Sequence, residues 1–157
     1  MSKQSAGILL YRFENRNLQI LLVHPGGPFW AKKDVGAWSI PKGEIEENEN
    51  AFAAAKREAS EEMGISFENI DLSFFIELTP VKIKSGKTIL AWAVEEDFAI
   101  HELKSNSFEM EWPPKSGIRK QFPEVDKAGW FLIEEAKMKI NIGQVPILEE
   151  FVEILKH

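Results

Sequence analysis

The sequence contains no cysteine, and only three histidines and one tyrosine among 157 residues. Without cysteine there is no disulfide, no thiolate nucleophile and no cysteine-based zinc site. His24, His101 and His157 are scattered at spacings unlike those of zinc ligands, so we expect each to be structural or solvated. Ser39 has no evident His and Asp companions for nucleophilic catalysis. Any chemistry is therefore expected to come from carboxylates and cationic side chains.

Long apolar runs are also missing. No run approaches the roughly 20 residues that a helix needs to span a bilayer, so we expect no contact with a membrane. The first segment, "MSKQSAGILLYRF", alternates apolar with polar residues and is interpreted as a strand rather than a signal peptide. These features and the absence of cysteine favour a cytoplasmic protein. The net charge of −6 argues against a surface that binds nucleic acid as a whole, and makes phosphate binding depend on local cations.

The remaining pattern predicts one domain over residues 1–157, because there is no repeat, linker or low-complexity tract. Strands are predicted at "SAGILLYRF", "LQILLVH", "IDLSFFIEL", "KTILAWAVEED" and "AGWFLI", with the turn "ENRN" between the first two. A helix is predicted from about Asn50 to Met63, with Asn48 or Asn50 as N-cap and Gly64 at its end. Further helices are predicted at "EEAKMKI" and at "VPILEEFVEILKH". Residues 101–123 are expected to be a long irregular segment. Strands interleaved with helices indicate an α/β fold with a mixed sheet flanked by helices.

The first predicted helix concentrates negative charge. On a helical wheel Glu58, Glu61 and Glu62 share one sector, with Ala51, Ala54 and Ala55 expected beside them as small residues that leave the carboxylates open. A different side, with Phe52, Ala59 and Met63, is expected to pack on the core. Glu58 and Glu62 repel each other at i and i+4 unless a cation lies between them. An ordinary solvated face is the alternative, but hard oxygen ligands at one place suit Mg²⁺, Mn²⁺ or Ca²⁺.

The spacing around this helix carries further information. From Gly43 there follow five residues, Glu49, seven residues, Arg57-Glu58, Ala59, any residue, Glu61-Glu62, any residue, Gly64 and Ile65. This pattern resembles the Nudix box of the Nudix hydrolase family at each of its defining positions. The resemblance implies an α/β/α sandwich in which the box forms a loop, a helix and a loop. It also implies hydrolysis of a nucleoside diphosphate linked to another group, with water attacking phosphorus and with Mg²⁺ or Mn²⁺ as cofactor.

The resemblance assigns roles to single residues. Glu58, Glu61 and Glu62 match the metal-binding glutamates, and the backbone carbonyl of Lys42 matches a further ligand. Arg57 and Glu49 match a pair that orients the catalytic helix. Among these, Glu58, Glu61 and Arg57 are our candidates for direct or supporting roles in catalysis.

The general base is expected outside the box. In "FPEVDKAGWF", Glu124 lies six residues before Trp130, as a glutamate does before an aromatic residue in the family's downstream segment. Glu124 is therefore the first candidate for an additional metal ligand or general base, with Glu109 and Glu111 as alternatives. A surface carboxylate with no role is the competing interpretation.

Substrate recognition is expected from two loops. The segment 105–122 combines aromatic residues with cations, which suits a base and its phosphates. The aromatic residues are Phe108, Trp112 and Phe122, and the cations are Lys115, Arg119 and Lys120. The loop "HPGGPFWAKKD" offers Phe29 or Trp30 near the base and Lys32 or Lys33 near phosphate, although Trp30 could equally be packing. Lys42 could contact a phosphate through its side chain. The stretch "WSIPKGE" resembles the branch of the family that hydrolyses dinucleoside polyphosphates such as diadenosine tetraphosphate.

Three alternative functions stay open at this point. One is nucleoside triphosphate pyrophosphohydrolysis, one is removal of pyrophosphate from an RNA 5′ end, and one is a non-catalytic domain that senses a nucleotide. The expected partner is a small nucleotide, with nucleic acid disfavoured apart from an RNA 5′ end. The amphipathic C-terminal helix could pack on the core or cover a dimer contact, so both a monomer and a homodimer are compatible with the sequence.

Overall fold

A computed structural model describes residues 3–156, so His157 lies outside the described residues. Within that range the chain forms nine strands and three α-helices. The strands are β1 Gln4–Glu14, β2 Asn17–Pro25, β3 Lys42–Glu44, β4 Ile76–Glu77, β5 Val81–Lys82, β6 Thr88–Glu95, β7 Ser107–Glu111, β8 Arg119–Pro123 and β9 Val125–Leu132. The helices are α1 Ala51–Met63, α2 Ile133–Lys139 and α3 Val145–Leu155. No helix within the described part of the chain is long and apolar enough to span a membrane.

Seven strands form one mixed sheet, as predicted. Its main order is β4-β6-β1-β2-β9, with β3 added to β1 and β5 added to β6. The β1–β6 pair is parallel, whereas the other strand pairs of this sheet are antiparallel. A two-residue turn at Asn15 and Arg16, both with positive φ, joins β1 to β2, as expected for a tight hairpin.

One edge of β1 is shared by two strands, and this fork places the site. The β2 strand pairs with Tyr11–Glu14 and β3 pairs with Ser5–Gly7, while β6 occupies the opposite edge of β1. The segment 39–41 fills the gap, because Ile8 N–H donates to the Pro41 carbonyl over 3.0 Å. The segment that leads into the candidate site, residues 39–44, therefore begins where β2 and β3 separate.

The sheet separates two cores, which gives the predicted α/β/α sandwich. One face packs against α1 through residues such as Ile8, Leu10 and Met63. The other face packs against α2 and α3 through residues such as Leu9, Ile147 and Phe151. Because side chains alternate along a strand, β1 contributes to both cores, and Ile8, Leu9 and Leu10 are fully buried.

The helix α1 has the predicted ends, but its faces need a correction. The Asn50 side chain accepts a hydrogen bond from the Ala53 N–H, and Gly64 ends the helix in the left-handed conformation at φ 77°. Ala54 and Ala55 do not lie open beside the carboxylates, because both are fully buried in the core. Their small side chains allow the helix to lie close to the sheet, which a wheel without the neighbouring strands does not reveal.

Two other expectations were wrong. The segment 70–78 is not one strand: a 3-10 turn occupies Leu72–Phe74, and only Ile76 and Glu77 pair with β6. The segment 101–123 is not irregular throughout, because β7 and β8 form a separate antiparallel hairpin. In the segment 70–78, apolar side chains are exposed to solvent: the exposed fractions of Leu72 and Phe74 are 68% and 67%.

Candidate active site

Arg57 is the centre of the ion pairs around the helix α1. Its Nε and Nη2 donate to the two carboxylate oxygens of Glu49 over 2.7 and 2.9 Å. Its Nη1 donates to Glu58 over 2.8 Å and to Glu61 over 3.3 Å, and its Nη2 also reaches the Glu44 carbonyl over 3.2 Å. The bidentate contact with Glu49 is a strong geometry for a guanidinium group. Arg57 thus ties the loop before α1 to the carboxylates on it.

Glu49 and Arg57 stabilise each other's charged form. Hydrogen bonds lower the pKa of Glu49 to about 2. The largest contribution comes from Arg57, and a smaller one comes from the Glu46 N–H, which donates to Glu49 over 3.0 Å. Hydrogen bonding to Glu49 raises the pKa of Arg57. The geometry agrees with the predicted orienting role of this pair, which remains a prediction for function.

Glu58 lies against Gly43 at the start of the box. A Cβ on Gly43 would lie 1.9 Å from Glu58 Oε2, so glycine is needed for this approach. Burial raises the pKa of Glu58, while the hydrogen bond from Arg57 opposes the increase. Glu58 is therefore held in a confined position between one cation and the backbone of β3.

Glu62 is the most strongly perturbed carboxyl group of the cluster. Its Oε1 accepts a hydrogen bond from the Lys42 N–H over 3.0 Å. Burial raises the pKa of Glu62 to about 8, and the negative charges of Glu124 and Glu58 add to the effect. A carboxylate in such surroundings needs a cation if it is to be ionised at neutral pH.

Lys42 supplies a cation near this cluster, and the structure adds a lysine that sequence reasoning missed. Burial lowers the pKa of Lys42, the negative charge of Glu62 opposes this, and the positive charge of Lys87 adds to the decrease. Lys87 also lies 3.9 Å from the Glu44 carboxylate. Because it is far from the box in sequence, only the pairing of β1 with β6 and β3 could have placed it beside Lys42.

Glu124 approaches the box glutamates from another part of the fold. It lies between β8 and β9, where its N–H donates to the Asn106 carbonyl over 2.8 Å and its carbonyl accepts from Gly26 N–H over 2.9 Å. Burial raises the pKa of Glu124, and the charge of Glu61 raises it further. Glu58, Glu61, Glu62 and Glu124, which we call the carboxylate cluster, are thus close enough to affect each other's ionisation.

The two alternative bases are engaged elsewhere. Glu109 forms an ion pair with Arg119 across the β7–β8 hairpin. Glu111 accepts hydrogen bonds from the N–H groups of Lys115 and Gly117 over 2.8 and 3.2 Å. These contacts favour Glu124 over both, although the identity of the base stays a prediction.

Two cavities meet beside Glu124. The first, which we call the inner recess, has a volume of about 230 Å³ and is lined by residues that include Trp38, Ser39, Lys42, Glu62 and Gln144. The second, the aromatic groove, has about 410 Å³ and is lined mainly by Phe29, Trp30, Phe108 and Met110. Trp30 and Glu124 border both cavities. The inner recess is therefore lined by apolar and charged side chains together, whereas the aromatic groove is lined mainly by apolar ones.

The hairpin contributes to this site differently from the expectation. Trp112, Lys115, Arg119 and Lys120 border neither cavity, so their part in substrate binding stays a prediction without support from this geometry. Phe108, one of the aromatic residues expected to face a base, borders the aromatic groove, and Met110, which sequence reasoning missed, borders it as well. The alternation in "SFEME" places both side chains on one face of β7, and this was the available signal.

The donor chemistry of the carboxylate cluster fits a divalent cation, although the side chains are not arranged around one. Within residues 3–156, no group of three His, Cys, Asp or Glu side chains is already placed to hold a metal ion. The reason lies in their present contacts: Glu58 faces Arg57, and Glu62 accepts from the Lys42 N–H. Burial raises the pKa values of Glu58, Glu62 and Glu124, and the charges of neighbouring carboxylates raise them further, so a hard cation would stabilise the ionised groups.

Comparison with known proteins places the chain in a class. The sequence profile of the NUDIX domain matches residues 1–151. The protein therefore belongs to the Nudix family, which confirms the resemblance found in its box. Nudix enzymes generally use divalent metal ions.

Two relatives are similar to the chain in sequence. The chain is 31% identical to Nudix hydrolase 5 of Arabidopsis thaliana over 122 residues, which are 77% of this chain and 34% of that protein. It is 28% identical to the asymmetrical bis(5′-nucleosyl)-tetraphosphatase of Rattus norvegicus over 103 residues, 60% of this chain and 66% of the rat protein. The chain thus spans about a third of the plant relative and about two thirds of the rat relative.

A solved structure supports the fold. The crystal structure of a C. elegans Ap4A hydrolase binary complex superposes with a TM-score of 0.66 and 21% sequence identity, covering 98% of both chains. This agreement confirms the predicted α/β/α architecture with a mixed sheet.

Proposed function

We propose that the protein is a hydrolase that uses Mg²⁺ or Mn²⁺ to cleave the pyrophosphate linkage of a dinucleoside polyphosphate such as diadenosine tetraphosphate. The family supports the reaction class, and the names of the rat tetraphosphatase and of the C. elegans Ap4A hydrolase support this substrate class. Water would attack one phosphorus, and two nucleotides would leave.

The observation that carries the proposal is the carboxylate cluster beside two cavities of contrasting character. Glu62 and Glu124 border the inner recess, and Glu124 also borders the aromatic groove. A purely structural role would not favour burying carboxyl groups whose charges repel each other. A polyphosphate chain bound with divalent cations would compensate these charges.

The chain's own residues have distinct tasks in this reaction. Glu58, Glu61 and Glu62 would hold the metal, with Glu124 and the Lys42 carbonyl as further ligands. The bound metal would neutralise phosphate charge and favour deprotonation of water. Arg57 would orient Glu58 through their hydrogen bond, and the ammonium groups of Lys42 and Lys87 would offset part of the phosphate charge. Glu124 accepts the proton of the attacking water.

The aromatic groove suits one nucleobase. Phe29, Trp30 and Phe108 provide apolar and stacking surface, and the Lys33 ammonium group lies 3.8 Å from the centre of the Phe29 ring. Stacking of an aromatic side chain on a base contributes on the order of 1–3 kcal/mol. Because Glu124 borders this groove, a nucleobase bound in it would have its phosphates near the carboxylate cluster.

A substrate panel tests the proposal. The purified protein is incubated with Mg²⁺ or Mn²⁺ and diadenosine tetraphosphate, nucleoside triphosphates, nucleotide sugars or 5′-triphosphorylated RNA, and products are separated by chromatography. We expect diadenosine tetraphosphate to give the highest kcat/KM, with AMP and ATP as products. Glu58→Gln and Glu62→Gln are expected to abolish turnover, whereas Glu134→Gln, at an exposed position on α2, is the matched control and retains it.

Each other outcome selects a different function. Preference for a triphosphate, with release of pyrophosphate, would indicate nucleotide-pool hydrolysis. Preference for RNA, with a strong dependence on salt, would indicate 5′-end processing. Nucleotide binding without turnover would indicate a sensor domain, and full activity of both glutamate variants would refute the metal site.

A further inference from the structure

His24 is a fully buried histidine with two acceptors. It lies on β2, and its side chain is shielded from solvent. Its Nδ1 lies 2.8 Å from Asp126 Oδ1 on β9, and its Nε2 lies 2.6 Å from the Lys33 carbonyl oxygen. The Trp38 ring packs against it edge-on, with 5.2 Å between the ring centres.

The chemistry of these partners defines the state of the ring. A carbonyl oxygen only accepts, so the contact with Lys33 requires a hydrogen on Nε2, which donates to it. The other ring nitrogen, Nδ1, faces the Asp126 carboxyl group. Other charges near it are Asp34, which accepts from the Trp38 indole and pairs with Lys139, and Lys127, whose ammonium group lies 5.6 Å from the Trp38 ring centre.

The segment that carries Trp30 depends on this contact. The two ends of residues 26–38 are tied by Gly26 N–H to the Glu124 carbonyl and by Gly36 N–H to the Met138 carbonyl. Between them, Trp30 N–H donates to Gly27 and Lys33 N–H to Trp30, which are bonds inside the segment. Among the hydrogen bonds of residues 3–156, only the one from His24 to the Lys33 carbonyl joins residues 27–33 to the rest of the fold.

We propose that His24 is a positioning residue, whose ring links the Lys33 carbonyl to Asp126 and so fixes Phe29 and Trp30 relative to Glu124. The proposal rests on the proposed function for its effect on substrate, but not for its effect on the loop. Asp126 follows Glu124 by two positions on the same stretch of chain. One buried ring thereby connects the aromatic wall of the groove with the strand next to the candidate base.

Nitrogen NMR and limited proteolysis test the loop without using activity. We expect the ¹⁵N resonances of His24 to show a hydrogen on Nε2, the nitrogen that faces the Lys33 carbonyl. Trypsin cleaves after Lys32 and Lys33, which are exposed, so loss of the tether should accelerate cleavage there. In His24→Gln and Asp126→Asn we expect cleavage about tenfold faster, which corresponds to loss of one hydrogen bond. His101→Gln, at an exposed histidine, is the matched control.

Steady-state kinetics then separates positioning from general destabilisation. For diadenosine tetraphosphate we expect both variants to raise KM about tenfold and to change kcat less than threefold, because the groove is displaced while the carboxylate cluster stays in place. An Nε2 without a hydrogen in the wild type, or cleavage rates and KM values equal to those of His101→Gln, would overturn the proposal. If the wild-type protein hydrolyses no nucleotide, the proposed function fails, while the NMR and trypsin results still decide the role of His24.

Discussion

Replacing Glu62 by glutamine is expected to stabilise the metal-free protein while removing its activity. Burial raises the pKa of Glu62 from 4.5 to about 8. At about 1.4 kcal/mol for each pKa unit, this corresponds to about 5 kcal/mol against the folded state once the group is fully ionised. Glutamine keeps an acceptor for the Lys42 N–H and carries no charge. Allowing for relaxation around the ionised group, we expect Glu62→Gln to raise the free energy of unfolding by about 3 kcal/mol at pH 8.

The dependence on pH has a definite sign. The folded Glu62 binds its proton up to about pH 8, whereas the unfolded one releases it near 4.5. Between these values the folded state binds more protons, so the wild-type protein loses stability as pH rises through this window. Below pH 4.5 the carboxyl is neutral in both states. The difference between variant and wild type should therefore be small at pH 4.5 and greatest at pH 8.

Urea unfolding in EDTA at several pH values measures this difference. Adding Mg²⁺ should stabilise the wild type at pH 8 and have a much smaller effect on Glu62→Gln, because the variant lacks one proposed ligand. Glu134→Gln is the matched control and should follow the wild type. A Glu62→Gln protein that is no more stable than the wild type at pH 8 without metal would refute the reasoning from burial.

Three further changes test the site. Gly43→Ala should leave the fold intact but lower kcat/KM at least tenfold, since its Cβ would displace the Glu58 carboxylate, and circular dichroism with kinetics checks both parts. Glu124→Gln should lower kcat by about 10²–10⁴ with nucleotide binding retained, and a near-normal kcat would exclude it as the base. Glu49→Gln should lower the free energy of unfolding at pH 7, because Arg57 lowers the pKa of Glu49 to about 2 and so stabilises the folded state when Glu49 is ionised. This loss should shrink as the pH falls from 4.5 towards 2. Urea titrations at pH 3 and pH 7 measure it, and an equal loss at both would contradict the prediction.

Much of the fold could be predicted from short stretches of sequence. Asn50 and Gly64 marked the ends of α1 because a cap and a left-handed residue have distinctive chemistry. The failure at 70–78 has a physical cause: the apolar residues Leu72 and Phe74 project from a 3-10 turn rather than alternate along a strand. Hydrophobic composition alone does not separate these two cases.

The site was less accessible to sequence reasoning. The carboxylates of α1 were found because their spacing lies within one helix, whereas Lys87 reaches the site only through the pairing of β6 with β1, which is distant in sequence. Met110 borders the aromatic groove because the β7–β8 hairpin lies beside the loop that carries Trp30. The wheel also misplaced Ala54 and Ala55, because a wheel contains no information about which face the sheet covers. Contacts between distant segments were therefore the missing information.

The forked edge of β1 has a consequence for changing what the protein accepts. The strand β2 ends at Pro25 and continues into the loop that carries Trp30, whereas β3 starts at Lys42 and leads to α1 with its glutamates. Both strands are hydrogen-bonded to β1, so exchanging residues 27–33 would alter the shape of the aromatic groove without moving the glutamates of α1. Substrate preference and catalytic rate can accordingly be changed by separate mutations.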